Sequence, residues 1–145
     1  AQMKTNQVEK KYIAVVHGVI SKDHFMIDCP IGRASETSIR REVLDEGGKE
    51  AITEVRVLER YNGYSLLECT LHTGRTHQIR VHLSSIGHPI VGDSLYDGEA
   101  NGLIARQALH SYYLSITHPI THENLTVEAP YPEDIIECIN IIKNR

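Results

Sequence analysis

The sequence has no tryptophan and a single phenylalanine, so valine, isoleucine, leucine and seven tyrosines must build whatever core it has. Its three cysteines, Cys29, Cys69 and Cys138, are far apart and include no CxxC pair. That spacing argues against a disulfide frame or a zinc knuckle and favours reduced thiols in the cytoplasm. No apolar run approaches the roughly 20 residues a membrane helix requires, and no signal-peptide pattern opens the chain. A basic excess is also missing. Fifteen Lys+Arg stand against 19 Asp+Glu, a net charge of −4, which excludes a histone-like or tail-type binder of nucleic acid. At 145 residues, with 41% apolar and 23% charged residues, the composition suits one packed domain. The opening Ala1-Gln2-Met3-Lys4 does not read as a natural start, so a longer parent is expected.

Strand signals dominate. Val8 to His17 is β-branched and aromatic and ends at Gly18, with Tyr12, Ala14 and Val16 expected on one face. A short strand is expected over 24–28, before Pro30 and Gly32. Residues 33–50 are polar and read as a loop with room for one helical turn. Ala51 to Glu59 and Tyr64 to Leu71 read as partner strands around the hairpin signal Tyr61-Asn62-Gly63, although the first has no clean apolar face. Thr73 to Ile86 reads as a helix. Thr73 is its expected N-cap, Ile79, Leu83 and Ile86 form its stripe, and Gly87 and Pro89 stop it. Strands are expected over 108–116 and 125–128, and a closing helix over 133–143 carries Ile135, Ile136, Ile139 and Ile142. The implied class is α+β: a mixed, mainly antiparallel sheet with helices packed on it.

Chemistry concentrates between Cys69 and Gly92. This window holds Arg75, Arg80, His72, His77, His82 and His88 and no acidic residue. Thr73-Gly74-Arg75-Thr76 at a helix N-terminus would present backbone N–H groups, a hydroxyl and a guanidinium to an anion. Arg80, one turn beyond Thr76, would point to the same side. The same pattern suits a capped helix with its charges in water. Nine histidines invite a test for metal binding, but His77 and His82 are five apart, wrong for one helical face, and there is no HExxH. Ser84, Ser85, Asp93 and Ser94 occur without a GxSxG elbow, and phosphate-loop and dinucleotide fingerprints are missing. Tyr12 by composition alone reads first as a core aromatic, with a platform on which a base could stack as the functional alternative. Leu109 by itself reads as a core leucine.

Leu71-His-Thr-Gly-Arg-Thr-His-Gln-Ile-Arg-Val-His-Leu83, followed by Ile86-Gly-His-Pro-Ile-Val-Gly-Asp93 and Tyr96, closely resembles a motif of RNA pseudouridine synthases of the RluA/RluD type. Val8-Glu-Lys-Lys-Tyr-Ile-Ala-Val-Val-His-Gly18 resembles the family's tyrosine strand. Ile27-Asp-x-Pro-Ile-Gly-Arg33, Gly48-Lys-Glu-Ala-Ile-Thr53 and Leu109-His-Ser to Thr117-His-Pro119 follow in the family's order. One element is missing. The family's nucleophilic aspartate lies in a motif like Arg-Leu-Asp-x-x-Thr-Ser-Gly upstream of the tyrosine strand. None of Asp23, Asp28, Asp45, Asp93, Asp97 or Asp134 has such surroundings.

The resemblance implies that residues 1–145 are the C-terminal portion of a pseudouridine synthase catalytic domain, with no second domain. The aspartate, and the S4-type domain some relatives carry, would lie upstream. It implies a parent that converts uridines of structured RNA, ribosomal RNA first, to pseudouridine in the cytoplasm, with no cofactor, metal or membrane partner. The 145 residues alone would be inactive. In the site, Tyr12 would pack beside the flipped base, Arg80 would pair with the nucleophile and Leu109 would line the base pocket. Arg75, Thr76, His77 and Gln78 would orient Arg80 or contact RNA backbone. A non-catalytic RNA-binding module on the same fold, and more weakly a metal-independent phosphodiesterase using His77 or His118, are the alternatives.

Overall fold

Run-on β-branched residues make Val8–His17 the strand β1, and its centre, Ile13 to Val16, is almost wholly buried. A strand buried on both sides must sit inside a sheet, and β1 pairs with a neighbour on each edge. In the computed structural model, which describes residues 8–33 and 35–145, the main sheet has six strands. The others are β2 (His24–Asp28), β5 (Ile52–Tyr61), β6 (Tyr64–Leu71), β7 (Leu109–Thr117) and β8 (Asn124–Glu128). Their order is β2-β5-β6-β1-β7-β8, and every ladder is antiparallel. Two helices complete the α+β architecture, α1 (Gln78–Ser85) and α2 (Glu133–Lys143). The expectation of a mixed sheet thus resolves to a purely antiparallel one. The start at Ala1 to Lys4 lies outside the described residues.

Among its described residues the loop expected over 33–50 forms no helix, only a single turn closed by the Ser38 N–H on the Ser35 carbonyl at 3.2 Å. The segment joins β3 (Ile31–Gly32), just before it, to β4 (Glu42–Val43) in a two-stranded hairpin, held to Lys49 by a further bridge from Ile31. The irregular faces of β5 have a simple cause. A bulge between Val57 and Glu59 inserts Leu58, so the alternation changes phase there. The turn after β5 sits at Asn62-Gly63, with Gly63 at φ +83°, a conformation that glycine reaches without a Cβ clash.

The larger correction concerns α1, which begins five residues later than the sequence pattern suggests. The ladder runs past β6, with His72 N–H donating to the Ile52 carbonyl at 3.1 Å, and this holds the chain extended into Thr73. His77, in place of Thr73, precedes the helix, in the left-handed region at φ 55° and without a side-chain cap. Thr73 instead accepts the Ile52 N–H at 2.9 Å. The buried face of α1 is also wider than one stripe. Ile79 and Leu83 join the main core, Val81 packs with Ile31, Ala51 and Tyr96, and Ile86 lies beyond the helix, exposed.

Paired residues in a sheet point to the same side, so register assigns the two faces. Tyr12, Ala14, Cys69, Leu71, Thr53 and Leu109 share one face through the pairs Tyr12↔Cys69, Ala14↔Leu109 and Thr53↔Leu71. The helix α1 covers that face, since its His82 bonds to the Thr53 hydroxyl. The opposite face, around Leu66, is covered by α2 through Ile135, Cys138, Ile139 and Ile142. All three cysteines are free, and complete burial raises the Cys69 thiol to about 12. No helix among the described residues is long and apolar enough to cross a membrane.

Candidate active site

The segment joining β6 to α1 is organised by one buried side chain. The Gln78 carboxamide oxygen accepts the Thr73 hydroxyl at 2.7 Å and the Arg75 N–H at 3.0 Å. Its nitrogen donates to the Ile52 carbonyl and the Thr53 hydroxyl, each at 2.9 Å. The amide's donors and acceptor are therefore spent, and at 3% exposure it is closed to RNA. Of the two roles expected for Gln78, only positioning is open to it. Because the Arg75 N–H is taken by Gln78 and the helix begins later, the anion-binding helix terminus expected at 73–76 does not form. The Arg75 guanidinium remains available, steered by donation from Nε to the Glu50 carbonyl at 2.6 Å, with Thr76 exposed beside it.

From Gln78 the network continues inward. The Thr53 hydroxyl, which receives Gln78, lies 2.8 Å from His82 Nδ1, and His82 Nε2 lies 2.8 Å from the Cys29 carbonyl. These partners suit a neutral imidazole that accepts at Nδ1 and donates from Nε2. Burial pushes the His82 pKa down, outweighing the opposing hydrogen bond to Cys29 and the charge of Asp28.

Arg80 leaves α1 on another side. It grips Asp93 with Nε on Oδ2 at 2.8 Å and Nη2 on Oδ1 at 2.9 Å, and its guanidinium lies 5.1 Å from the Tyr96 ring centre. The fork of two parallel hydrogen bonds is the strong form of an arginine–carboxylate pair. It raises the Arg80 pKa, its hydrogen bond to Asp93 outweighing burial. Tyr96, on the 3-10 turn Ser94–Tyr96, accepts the Arg41 N–H at 2.8 Å, and its hydroxyl lies 2.7 Å from His77 Nδ1. Burial first, then the charges of Arg80 and Arg41, lower the His77 pKa, so this ring is also held neutral.

Tyr12 and Leu109 stand on the α1 side of the sheet, on neighbouring strands two positions apart in register, both half-buried against the core with Leu71. The Tyr12 hydroxyl makes no hydrogen bond to a described residue. Asp93 and Tyr96 belong to the sequence motif, but the sequence assigns neither a task. Their signal is the Gly-Asp-x-x-Tyr spacing, and only the fold shows that both serve Arg80. A depression of about 300 Å³ on the other face is lined by Lys11, Glu54, Arg56, Glu68 and His72. Glu54 accepts from His24 at 2.6 Å and His72 at 2.9 Å, which lowers its pKa, and Tyr112 donates to Glu68.

Residues 1–85, which include Tyr12 on the sheet and Arg80 on the helix over it, match the family pattern described as RNA pseudouridylate synthase. The chain belongs to that family. It is 40% identical to the ribosomal large subunit pseudouridine synthase D of Neisseria meningitidis, across 98% of this chain and 41% of that protein. It is 46% identical to the uncharacterized RNA pseudouridine synthase YlyB of Bacillus subtilis, across 99% of this chain and 47% of that protein. Among solved structures, human RNA pseudouridylate synthase domain containing 1 superposes with a TM-score of 0.76 at 33% identity, over 93% of this chain and 60% of that one. The chain thus spans less than half the length of these two bacterial relatives.

Proposed function

We propose that the whole protein isomerises uridine in RNA to pseudouridine in the cytoplasm, with ribosomal RNA as its target, and that this chain is the C-terminal portion of its catalytic domain. The observation that carries the reading is the convergence of the sequence motif with the fold: Tyr12 and Leu109 on one sheet face, and Arg80 braced by Asp93 on the helix covering it. The ribosomal target is supported by the name of the Neisseria relative.

The reaction detaches uracil at N1 from the ribose, rotates it and rejoins it through C5. Product and substrate are isomers, so the chemistry needs no redox partner or group donor. The base must first leave its stack, at a cost of a few kcal/mol, and be held in a pocket. Tyr12 stacks beside the extruded base with its hydroxyl unspent, and Leu109 lines the pocket. Arg80 uses Nε and Nη2 on Asp93, leaving Nη1 for the nucleophilic carboxylate, whose pKa an adjacent arginine lowers by roughly 1–3 units. Asp93 is thereby a positioning residue for Arg80. No Arg-Leu-Asp motif occurs in the 145 residues, so the nucleophile comes from another part of the protein and these residues alone are inactive.

The test is tritium release from RNA labelled at uridine C5, using the whole protein. Release that depends on Arg80, abolished in Arg80→Ala, is the expected result. An unchanged rate in that variant overturns the role of Arg80, and turnover by residues 1–145 alone overturns the placement of the nucleophile. Binding of RNA with no release from any RNA favours the non-catalytic module.

A further inference from the structure

Between the β3–β4 hairpin and the β6–α1 segment lies an open cleft of about 390 Å³, lined by Ile31, Gly32, Arg33, Arg41, Gly47, Lys49, Gly74, Arg75 and Thr76. Four of these side chains are cationic and none is acidic, in a chain whose net charge is −4. The way the cations are held is informative. Arg33 donates from Nη1 to the Glu36 carbonyl at 3.1 Å, Arg41 from Nη1 to the Ile39 carbonyl at 2.9 Å, and Arg75 from Nε to the Glu50 carbonyl at 2.6 Å. Each guanidinium is therefore aimed by a neutral backbone oxygen and keeps its charge. No carboxylate among the described residues forms an ion pair with Arg33, Arg41, Lys49 or Arg75. The neighbouring Arg40, outside the cleft, is by contrast paired with Asp97 at 3.2 Å.

Crowding four such cations around one concavity opposes folding through mutual repulsion, and a like-charged cleft focuses its field on a mobile anion. Guanidinium forks and exposed backbone at glycines fit phosphate oxygens. We propose that this cleft is a phosphate-binding cradle for the RNA backbone, in which Arg33, Arg41 and Lys49 act together with Arg75 and Thr76. The inference rests on the reading of the protein as an RNA enzyme and adds a site on an element, the β3–β4 hairpin, to which that reading gives no role. The hairpin's contribution is electrostatic, so it sets affinity and register without choosing the base. The Gln78-anchored segment links the cradle to α1, so the strand entering it is held at a fixed distance from Arg80.

The experiment measures RNA affinity of the whole protein against salt concentration for Arg33→Ala, Arg41→Ala and Lys49→Ala. Lys22→Ala, an exposed lysine remote from the cleft in sequence, serves as control. Removing one cation from the cradle should reduce the slope of log K against log salt by about 0.7–0.9, which weakens binding by about 5- to 8-fold at about 0.1 M salt. The weakening should be equal across RNA sequences, and Arg33→Lys should recover most of the affinity. The Arg41 substitution spares the backbone N–H that serves Tyr96, so folding is not in question there. Slopes matching the Lys22→Ala control overturn the cradle. So does a thermal shift with inorganic phosphate, at fixed ionic strength, that the variants abolish while keeping the full RNA slope, because the cleft would then serve a free anion. These readouts do not depend on turnover. Absence of tritium release from the wild type would defeat the enzymatic reading and leave the cradle standing.

Discussion

Arg80 and Asp93 form a two-pronged ion pair, 2.8 and 2.9 Å long, in which the Asp93 side chain is 1% exposed and the Arg80 side chain 17%. Such a pair adds little net stability against an apolar replacement, but breaking it strands a buried charge. Asp93→Ala should destabilise the protein by about 3–5 kcal/mol, and Asp93→Asn by less, since the amide oxygen still accepts one hydrogen bond. Urea unfolding of the whole protein reads both. A change below about 1 kcal/mol in Asp93→Ala, near the small median for exposed pairs, would mean that Arg80 has found solvent or another partner.

Gln78 offers a second test. Gln78→Leu leaves the Thr73 hydroxyl and Arg75 N–H without their acceptor and the Thr53 hydroxyl without its donor, while the Ile52 carbonyl keeps the His72 N–H. With about 1–3 kcal/mol for each buried group left unpaired, a net loss near 3 kcal/mol is expected. Gln78→Glu keeps the acceptor but sets a carboxylate against the Ile52 carbonyl, so it should be no better. If Gln78→Glu matched the wild type in urea midpoint, the nitrogen side of this network would be irrelevant.

The sequence was most readable where one periodicity ruled. β1, β2, β6 and α2 occur at the residues their patterns indicated, because each is a continuous run with punctuation at both ends. It misled where a local signal met a tertiary one. Thr73 is a sound N-cap by type, yet the β6 ladder and Gln78 claimed its backbone and hydroxyl first. Leu58 scrambled β5 through a bulge that no alternation rule could place. In the candidate site, Tyr12, Arg80 and Leu109 were proposed through resemblance. The cationic cleft was not, because Arg33, Arg41 and Lys49 are scattered over a polar loop whose hairpin only the fold reveals.

Tyr12 separates stacking from proton transfer. Its hydroxyl makes no hydrogen bond to a described residue, so Tyr12→Phe should leave stability within about 0.5 kcal/mol, as for a surface change without special features. Tyr12→Ala removes an aromatic platform valued at about 1–3 kcal/mol per base, so KM for RNA should rise by roughly 5- to 150-fold. Comparing kcat and KM for tritium release in the two variants decides the matter. A kcat lost in Tyr12→Phe with KM unchanged would assign the hydroxyl to proton transfer. Equal KM in Tyr12→Ala and wild type would remove the base from this ring.

His82 makes stability depend on pH in a defined direction. Its folded pKa lies below the ordinary 6.5 because the ring is fully buried, bonded through Thr53 and Cys29 as a neutral group. The folded protein therefore binds fewer protons at this site than the unfolded chain. Stability from the neutral ring is fully present above the unfolded pKa, and it falls as pH drops below about 6.5. The slope can reach about 1.4 kcal/mol per pH unit for one proton. His77, lowered by burial and by Arg80 and Arg41, adds to the loss in the same direction. His82→Gln cannot titrate and can still donate to the Cys29 carbonyl. It should be less stable than the wild type near neutral pH but lose less on acidification, so that the two urea midpoints approach each other as pH falls. Midpoint curves that stay parallel through this window would show that His82 is protonated in the fold, with the Thr53 hydroxyl turned to accept from it.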